Sequence, residues 1–270
     1  MTKNPFETHG IDHLSPSSIN TYIADPCSYI LRYLFKHRSA SNPAMWRGTV
    51  VDESIGRSLG FKKNNKNKWV GNKGKTPKKT AINSAIRQFD GLYRYHLKST
   101  EVDEVKFQKE RELVPKYLET AIPYYKSFGQ PTSYQKQINL QLDDIPVPIM
   151  GFIDLQYEDV VRDIKTTGRL PSAIPSSVSR QLSIYATAEN STPLVDYIYV
   201  TKTKAEVVSM FVEDVDEHIA TVKKVAHTIM NLLSYSENKQ EIADLFYPDF
   251  DDWRWSKNDI EIAKTIWSIK

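Results

Sequence analysis

Hydrophobic positions recur at three- and four-residue steps through the first 128 residues, alternate with polar ones from Ser133, and later return to helical spacing. Ser15-Pro16-Ser17-Ser18 predicts a helix start, Ser15 as cap and proline in the first turn, with Ile19, Tyr22 and Ile23 following at helical spacing. Asp25-Pro26 interrupts the pattern, and a second helix is expected from Pro26 through Tyr29, Leu31, Tyr33 and Phe35. A third spans about 44–59, where Gly48, Asp52, Ile55, Gly56 and Leu59 share one side. Two more are expected over about 80–98 and 103–128, closed by Gly129-Gln130-Pro131.

From Ser133 the period becomes two. Gln137 to Leu142 alternates cleanly, Asp143-Asp144 turns, and strands are expected over 147–157 and 160–166. Ser176 or Ser177 can cap a helix to about Glu189. Strands over 195–201 and 206–212 and a helix over 215–233 follow, and the tail, with Trp253, Trp255 and Trp267, ends in a short helix. No internal repeat is present. This order predicts one α/β domain spanning 1–270: a central mixed sheet flanked by helices, with an N-terminal helical annex over 13–130.

Composition changes this picture in a few places. Residues 62–79 carry eight lysines and no acid, a stretch expected to be an exposed, even disordered, basic loop. The single cysteine, Cys27, excludes an internal disulfide framework and any multi-cysteine metal site. The first residues lack the apolar core of a secretory signal, and no run approaches the length of a membrane span, so a cytoplasmic protein without a membrane partner is expected. A net charge of +3 permits a polyanionic partner without requiring one.

The candidate chemistry lies in Gly151-Phe152-Ile153-Asp154-Leu155 and Val160-Val161-Arg162-Asp163-Ile164-Lys165. If Glu158 and Asp159 centre a reversal, antiparallel pairing sets Asp154 opposite Asp163, with Cβ atoms about 4.5–5.5 Å apart. Lys165, two residues beyond Asp163, shares its face. Two opposed carboxylates beside an ammonium can cradle a hard divalent cation. The same spacing also fits a solvated hairpin face carrying an Asp–Lys ion pair. In the basic stretch, lysines such as Lys73 and Lys75 can grip phosphate and Trp69 can stack on an unpaired base, although a partnerless surface loop fits equally well. Gly71 to Thr76 mimics a nucleotide-binding loop but has only two residues between its glycines where four are needed.

Asp163-Ile164-Lys165, nine residues after Asp154 and followed by Gln181-Leu182-Ser183-Ile184-Tyr185, resembles the PD-(D/E)XK nuclease superfamily. More narrowly it resembles the RecB-type branch that includes the CRISPR-associated iron–sulfur exonucleases. Those proteins share a G-x-[IV]-D strand, a D-[YIL]-K-T strand and a helix bearing Q-x-x-x-Y. The opening LSPSSINTYIADPCSYILRY is similar to their first motif, and together the matches cover roughly 40% of the chain.

The resemblance implies a restriction-endonuclease-like core in which Asp154 and Asp163 are metal ligands and Lys165 is the catalytic lysine. It places Gln181 and Tyr185, at i and i+4 on one helical face, beside the active site. The family histidine of G-x-x-x-H has Asp52 in its place, after Gly48, with Glu53 as the fallback ligand. An oxygen ligand there favours Mg²⁺, with Mn²⁺ substituting. The iron–sulfur cysteines are missing, so no such cluster is expected, and the tail tryptophans could supply packing instead. Arg47 and Arg180 join Lys73 and Lys75 as candidate nucleic-acid contacts. The implied function is a Mg²⁺-dependent deoxyribonuclease, an exonuclease acting on single- or double-stranded DNA in recombination, repair or degradation, alongside recombination or replication proteins. Its rivals are a non-catalytic nucleic-acid-binding module on the same fold and a structure-specific endonuclease.

Overall fold

The computed structural model describes residues 4–72, 74–98 and 102–269. The first helices are α1 (Pro5–Thr8), α2 (Pro16–Ala24) and α3 (Pro26–Tyr29), the last widening into a π-helical turn over Ile30–Leu34. Then come α4 (Pro43–Ser58), strands β1 (Phe61–Lys63) and β2 (Trp69–Gly71), and helices α5 (Lys78–His96) and α6 (Glu104–Ser127). The strands β3 (Ser133–Leu140), β4 (Ile149–Gln156) and β5 (Val160–Thr167) lead into α7 (Ser176–Glu189), β6 (Thr192–Val200) and β7 (Ala205–Phe211). Helices α8 (Val215–Leu233), α9 (Lys239–Ala243) and α10 (Lys257–Ile266) close the chain. Contacts group the chain into two compact units, Met1–Ser39 with Ile138–Gly151 and Asp214–Lys270, and Ala40–Gln137 with Phe152–Glu213.

In the first unit the expected caps form. Ser15 Oγ accepts the Ser18 amide at 3.0 Å while Ser18 Oγ accepts the Ser15 amide at 2.8 Å, a reciprocal capping box. Asp25 ends α2 and caps α3 by accepting the Cys27 amide at 2.9 Å. Cys27 packs with Leu31, Trp255 and Ala263, and Trp267 lies against them. Burial in that apolar setting pushes the Cys27 thiol up to about 12, with the Asp25 charge adding to the effect. Trp253, by contrast, is 85% exposed, so the tail packs through two of its three tryptophans.

The strands form a five-stranded sheet of order β3-β4-β5-β6-β7, of which β5, β6 and β7 lie wholly in the second unit. β4 and β5 are antiparallel, β5 and β6 parallel, and β6 and β7 antiparallel, which makes the sheet mixed. A parallel neighbour requires a crossover, and α7 supplies it between β5 and β6. Helices α4, α5 and α6 cover the sheet through Trp46, Val50, Ile55, Phe89, Phe107 and Leu118, packed with Leu155, Ile164 and Ile198. A sheet flanked by helices, with helices leading the chain, is the α/β class the sequence predicts.

The basic stretch differs from expectation. Residues 61–71 fold back as the β1–β2 hairpin, with Phe61 opposite Gly71 and Lys63 opposite Trp69. Trp69 anchors it, its ring edge-on to Tyr134 at 4.7 Å between centroids. Of the described residues in the stretch, only the segment around Gly74 to Pro77 remains irregular before α5.

Candidate active site

The β4–β5 hairpin turns at Glu158-Asp159, with the Tyr157 amide donating to the Val160 carbonyl at 2.8 Å. Leu155 pairs with Arg162 and Gln156 with Val161, and continuing that register sets Asp154 against Asp163. Beyond Leu155 the Ile164 amide donates to Asp154 Oδ2 at 2.8 Å, so a side-chain acceptor stands where the strand ladder would continue. Asp163 is 1% exposed, and Lys165 Nζ meets its Oδ2 at 2.7 Å. From α7, Gln181 Nε2 donates to Asp163 Oδ1 at 3.0 Å and lies 3.1 Å from the Tyr185 hydroxyl. The structure thus gathers Asp154, Asp163, Lys165, Gln181 and Tyr185 around one hairpin.

Asp52 reaches this group from α4. Its Oδ2 accepts the Tyr134 hydroxyl at 2.9 Å and the Gln135 amide at 3.0 Å, and that same Gln135 nitrogen donates to Asp154 Oδ1 at 2.8 Å. Gln135 therefore bridges the two carboxylates. Its backbone has φ of +50°, a left-handed turn inside β3 that any residue but glycine adopts at a cost of about 1–2 kcal/mol. Strain of that kind concentrates where a side chain must be aimed. Sequence reasoning missed Gln135 and Tyr134. The alternation of β3 marks Gln135 as a polar position like Gln137 and Asn139, and nothing in it signals the reversed φ.

Electrostatics follow from burial. Loss of solvent, then the adjacent Asp163 charge, raises the Asp154 carboxyl to about 7 against the opposing pull of Lys165 and two hydrogen bonds. Asp52 is raised well above the ordinary carboxylate range by burial and by the Asp154 charge. Burial alone would disfavour the Lys165 ammonium, but Asp163 and Asp154 outweigh it and its pKa is raised. Tyr185 is pushed up to about 12 by burial and by Asp163.

Among the described residues no three Asp, Glu, His or Cys side chains stand as a ready-made metal cage. The donors nevertheless suit a hard divalent cation. All are carboxylate oxygens, and among the described residues Asp52 Oδ1 is buried without a hydrogen-bond partner and Asp163 Oδ2 is faced by Lys165. Glu53 is committed elsewhere, to Arg57 at 2.7 Å, Lys63 at 2.8 Å and the Gln88 amide at 2.8 Å.

The expected nucleic-acid contacts do not share one setting. Arg47 is 8% exposed, pairs with Glu110, donates to Thr166 and lies 4.8 Å over the Tyr117 ring. Its donors clamp α4 to α6 and β5, which places it in the interior. Arg180 is half-buried at the start of α7, its pKa lowered by desolvation. Lys75 is exposed, and Lys73 lies outside the described residues.

A mixed α/β sheet with this hairpin and crossover helix is a PD-(D/E)XK-like fold. The chain belongs to the PD-(D/E)XK nuclease superfamily, whose family model matches residues 13–250. Members of that superfamily act on nucleic acid and generally use divalent metal ions. A crystal structure from Eubacterium rectale, described as a candidate exonuclease, is similar over 97% of this chain and 92% of its own, with TM-score 0.54 and 9% identity. At that identity the likeness speaks for the fold. A structure of SSO0001 covers 54% of this chain and 75% of its own at 12% identity, with a TM-score of 0.31 that adds nothing further. No curated protein sequence matches. Among the described residues no helix is long and apolar enough to cross a membrane.

Proposed function

We propose that this protein is a metal-dependent deoxyribonuclease, an exonuclease that uses Mg²⁺ or Mn²⁺ to hydrolyse phosphodiester bonds in DNA recombination, repair or degradation. The observation that carries the reading is Lys165 Nζ at 2.7 Å from Asp163 Oδ2, in a hairpin register that sets Asp163 against Asp154. Asp52, Asp154 and Asp163 would hold the ion. When bound, it would draw charge from the phosphate and make water a stronger nucleophile. Asp163 and Asp154 favour the Lys165 ammonium, and Lys165 would position or activate the attacking water beside the phosphate. Gln181 orients Asp163 through Oδ1, and Tyr185 steadies Gln181. The exonuclease and recombination assignments rest on the resemblance of the motifs to RecB-type nucleases.

The test is incubation of linear DNA with Mg²⁺ or Mn²⁺, comparing the wild type with Asp163→Ala and Lys165→Ala. Degradation by the wild type alone supports the reading; equal degradation by all three, or none by the wild type with either ion, overturns it. Closed circular DNA run alongside separates the endonuclease alternative, because an exonuclease needs an end.

One observation favours a second reading, a non-catalytic nucleic-acid-binding module. The Gln135 amide stands between Asp52 and Asp154, where a shared ion would sit. Calorimetric titration with Mg²⁺ decides between them, since such a module binds DNA without binding the ion.

A further inference from the structure

A cleft of about 730 Å³ is lined by Lys63, Lys68 and Trp69 of the β1–β2 hairpin, by Tyr134 and Gln135 of β3, and by Phe152 of β4. Three of these residues tie it to the carboxylates. Tyr134 and Gln135 hydrogen-bond Asp52, Gln135 also bonds Asp154, and Phe152 lies two residues from Asp154 on the same face of its strand. The rings of the cleft differ in freedom. Trp69 is fixed, edge-on to Tyr134 at 4.7 Å and with the Lys63 ammonium 5.2 Å above it. Phe152 is 49% exposed, and among the described residues no other ring packs against it. Lys63 is engaged with Glu53, whereas Lys68 forms no ion pair among the described residues.

An exposed phenyl face and an unpaired ammonium in a cleft that ends at paired carboxylates suit a chain of alternating bases and phosphates. The volume falls within the range of about 300–1,000 Å³ that encloses a small ligand, room for on the order of one or two nucleotides and not for a duplex. Stacking on Phe152 also needs a base whose face is free, which a paired and stacked base does not offer. We propose that this cleft receives the single-stranded end of a DNA chain, Phe152 stacking on a base beside the scissile phosphate and Lys68 meeting the backbone. This rests on the nuclease reading and gives it a strand preference.

The test uses the full chain in excess EDTA, with fluorescence anisotropy of a labelled thymidine oligonucleotide and of a blunt duplex of equal length. The single strand binds at least about tenfold more tightly than the duplex. Phe152→Ala weakens single-strand binding about 5- to 150-fold, the range set by one aromatic stack, and Phe152→Trp restores it. Lys68→Ala lowers the salt dependence by about one phosphate contact. Circular dichroism melts confirm that the variants fold, as the exposure of both side chains leads us to expect. A duplex bound as tightly as the strand, or Phe152→Ala binding like the wild type, overturns the proposal. Metal-supported cleavage on the same preparations keeps the two readings apart. Cleavage with no Phe152 dependence removes the cleft and leaves the nuclease, whereas Phe152-dependent binding without cleavage removes the nuclease and leaves the cleft.

Discussion

Asp154 accepts the backbone N–H of Ile164 at 2.8 Å, so one carboxylate both faces the site and finishes the pairing of its own hairpin. The two roles separate by substitution. Asp154→Asn keeps an acceptor for Ile164 and removes the buried charge; Asp154→Ala removes both. Leaving a partly buried amide unpaired costs about 1–3 kcal/mol. In urea denaturation without metal, the Ala variant is therefore less stable than the Asn variant by about 1–2 kcal/mol, while neither cleaves DNA. Equal stability of the two would show that the Ile164 amide finds another partner.

Two glycines on α4 give opposite forecasts. A Cβ at Gly56 would lie 2.5 Å from the Tyr134 ring, whereas one at Gly48 would meet only Thr166 Oγ1 at an ordinary 3.7 Å. Tyr134 is buried and its hydroxyl holds Asp52, so it cannot give way without moving that carboxylate. Gly56→Ala should destabilise by about 1–3 kcal/mol through overpacking and lower cleavage with it. Gly48→Ala should be neutral or stabilising by up to about 1 kcal/mol from helix propensity. Thermal melts of the two variants check both.

Arg47 carries a different expectation from the one its sequence position suggests. Its guanidinium lies between Glu110 and the Tyr117 ring, with both charged side chains largely enclosed. Removing one partner of a buried pair strands the other charge, at a cost of about 3–5 kcal/mol. Arg47→Ala thus lowers the melting temperature sharply while the folded fraction keeps its DNA affinity. A selective loss of affinity at unchanged stability would return Arg47 to the substrate side.

What the sequence disclosed and what it hid divide along physical lines. Asp154, Asp163 and Lys165 were legible because strand register is arithmetic once the turn is centred on Glu158-Asp159, within the polar break from Gln156 to Asp159. Helical spacing put Gln181 and Tyr185 on one face and Asp52 on a helix, but only the resemblance to the nuclease motifs set those faces beside the carboxylates. Gln135 was not legible, because its aim depends on a positive φ and on carboxylates far away in sequence. Trp69 was legible only as a ring able to stack on a base, because its edge-on partner Tyr134 lies far away in sequence and eight lysines around it read as a loop. The burial of Arg47 was not legible, because it depends on the packing of α6, which brings Glu110 and Tyr117 to it.

The last forecast concerns pH. Asp154 titrates near 7 in the folded protein and near 3.8 when exposed, and Asp52 is displaced in the same direction. Between those values the folded, metal-free protein holds a proton that the unfolded chain has released. Stability must then fall as pH rises through this window. Groups displaced downward, such as Glu53 and Asp259, work in the opposite sense but lie below their ordinary values of 4.5 and 3.8. Their contribution is already near its full value above about pH 5.5. With EDTA present, the melting temperature should therefore decline from pH 5.5 to 8, and Asp154→Asn should flatten that decline. Adding Mg²⁺ at pH 8 should recover the loss, because a ligand bound only by the native state stabilises it by mass action. A melting temperature that climbs with pH in the absence of metal would mean that these carboxylates are better solvated than their burial implies.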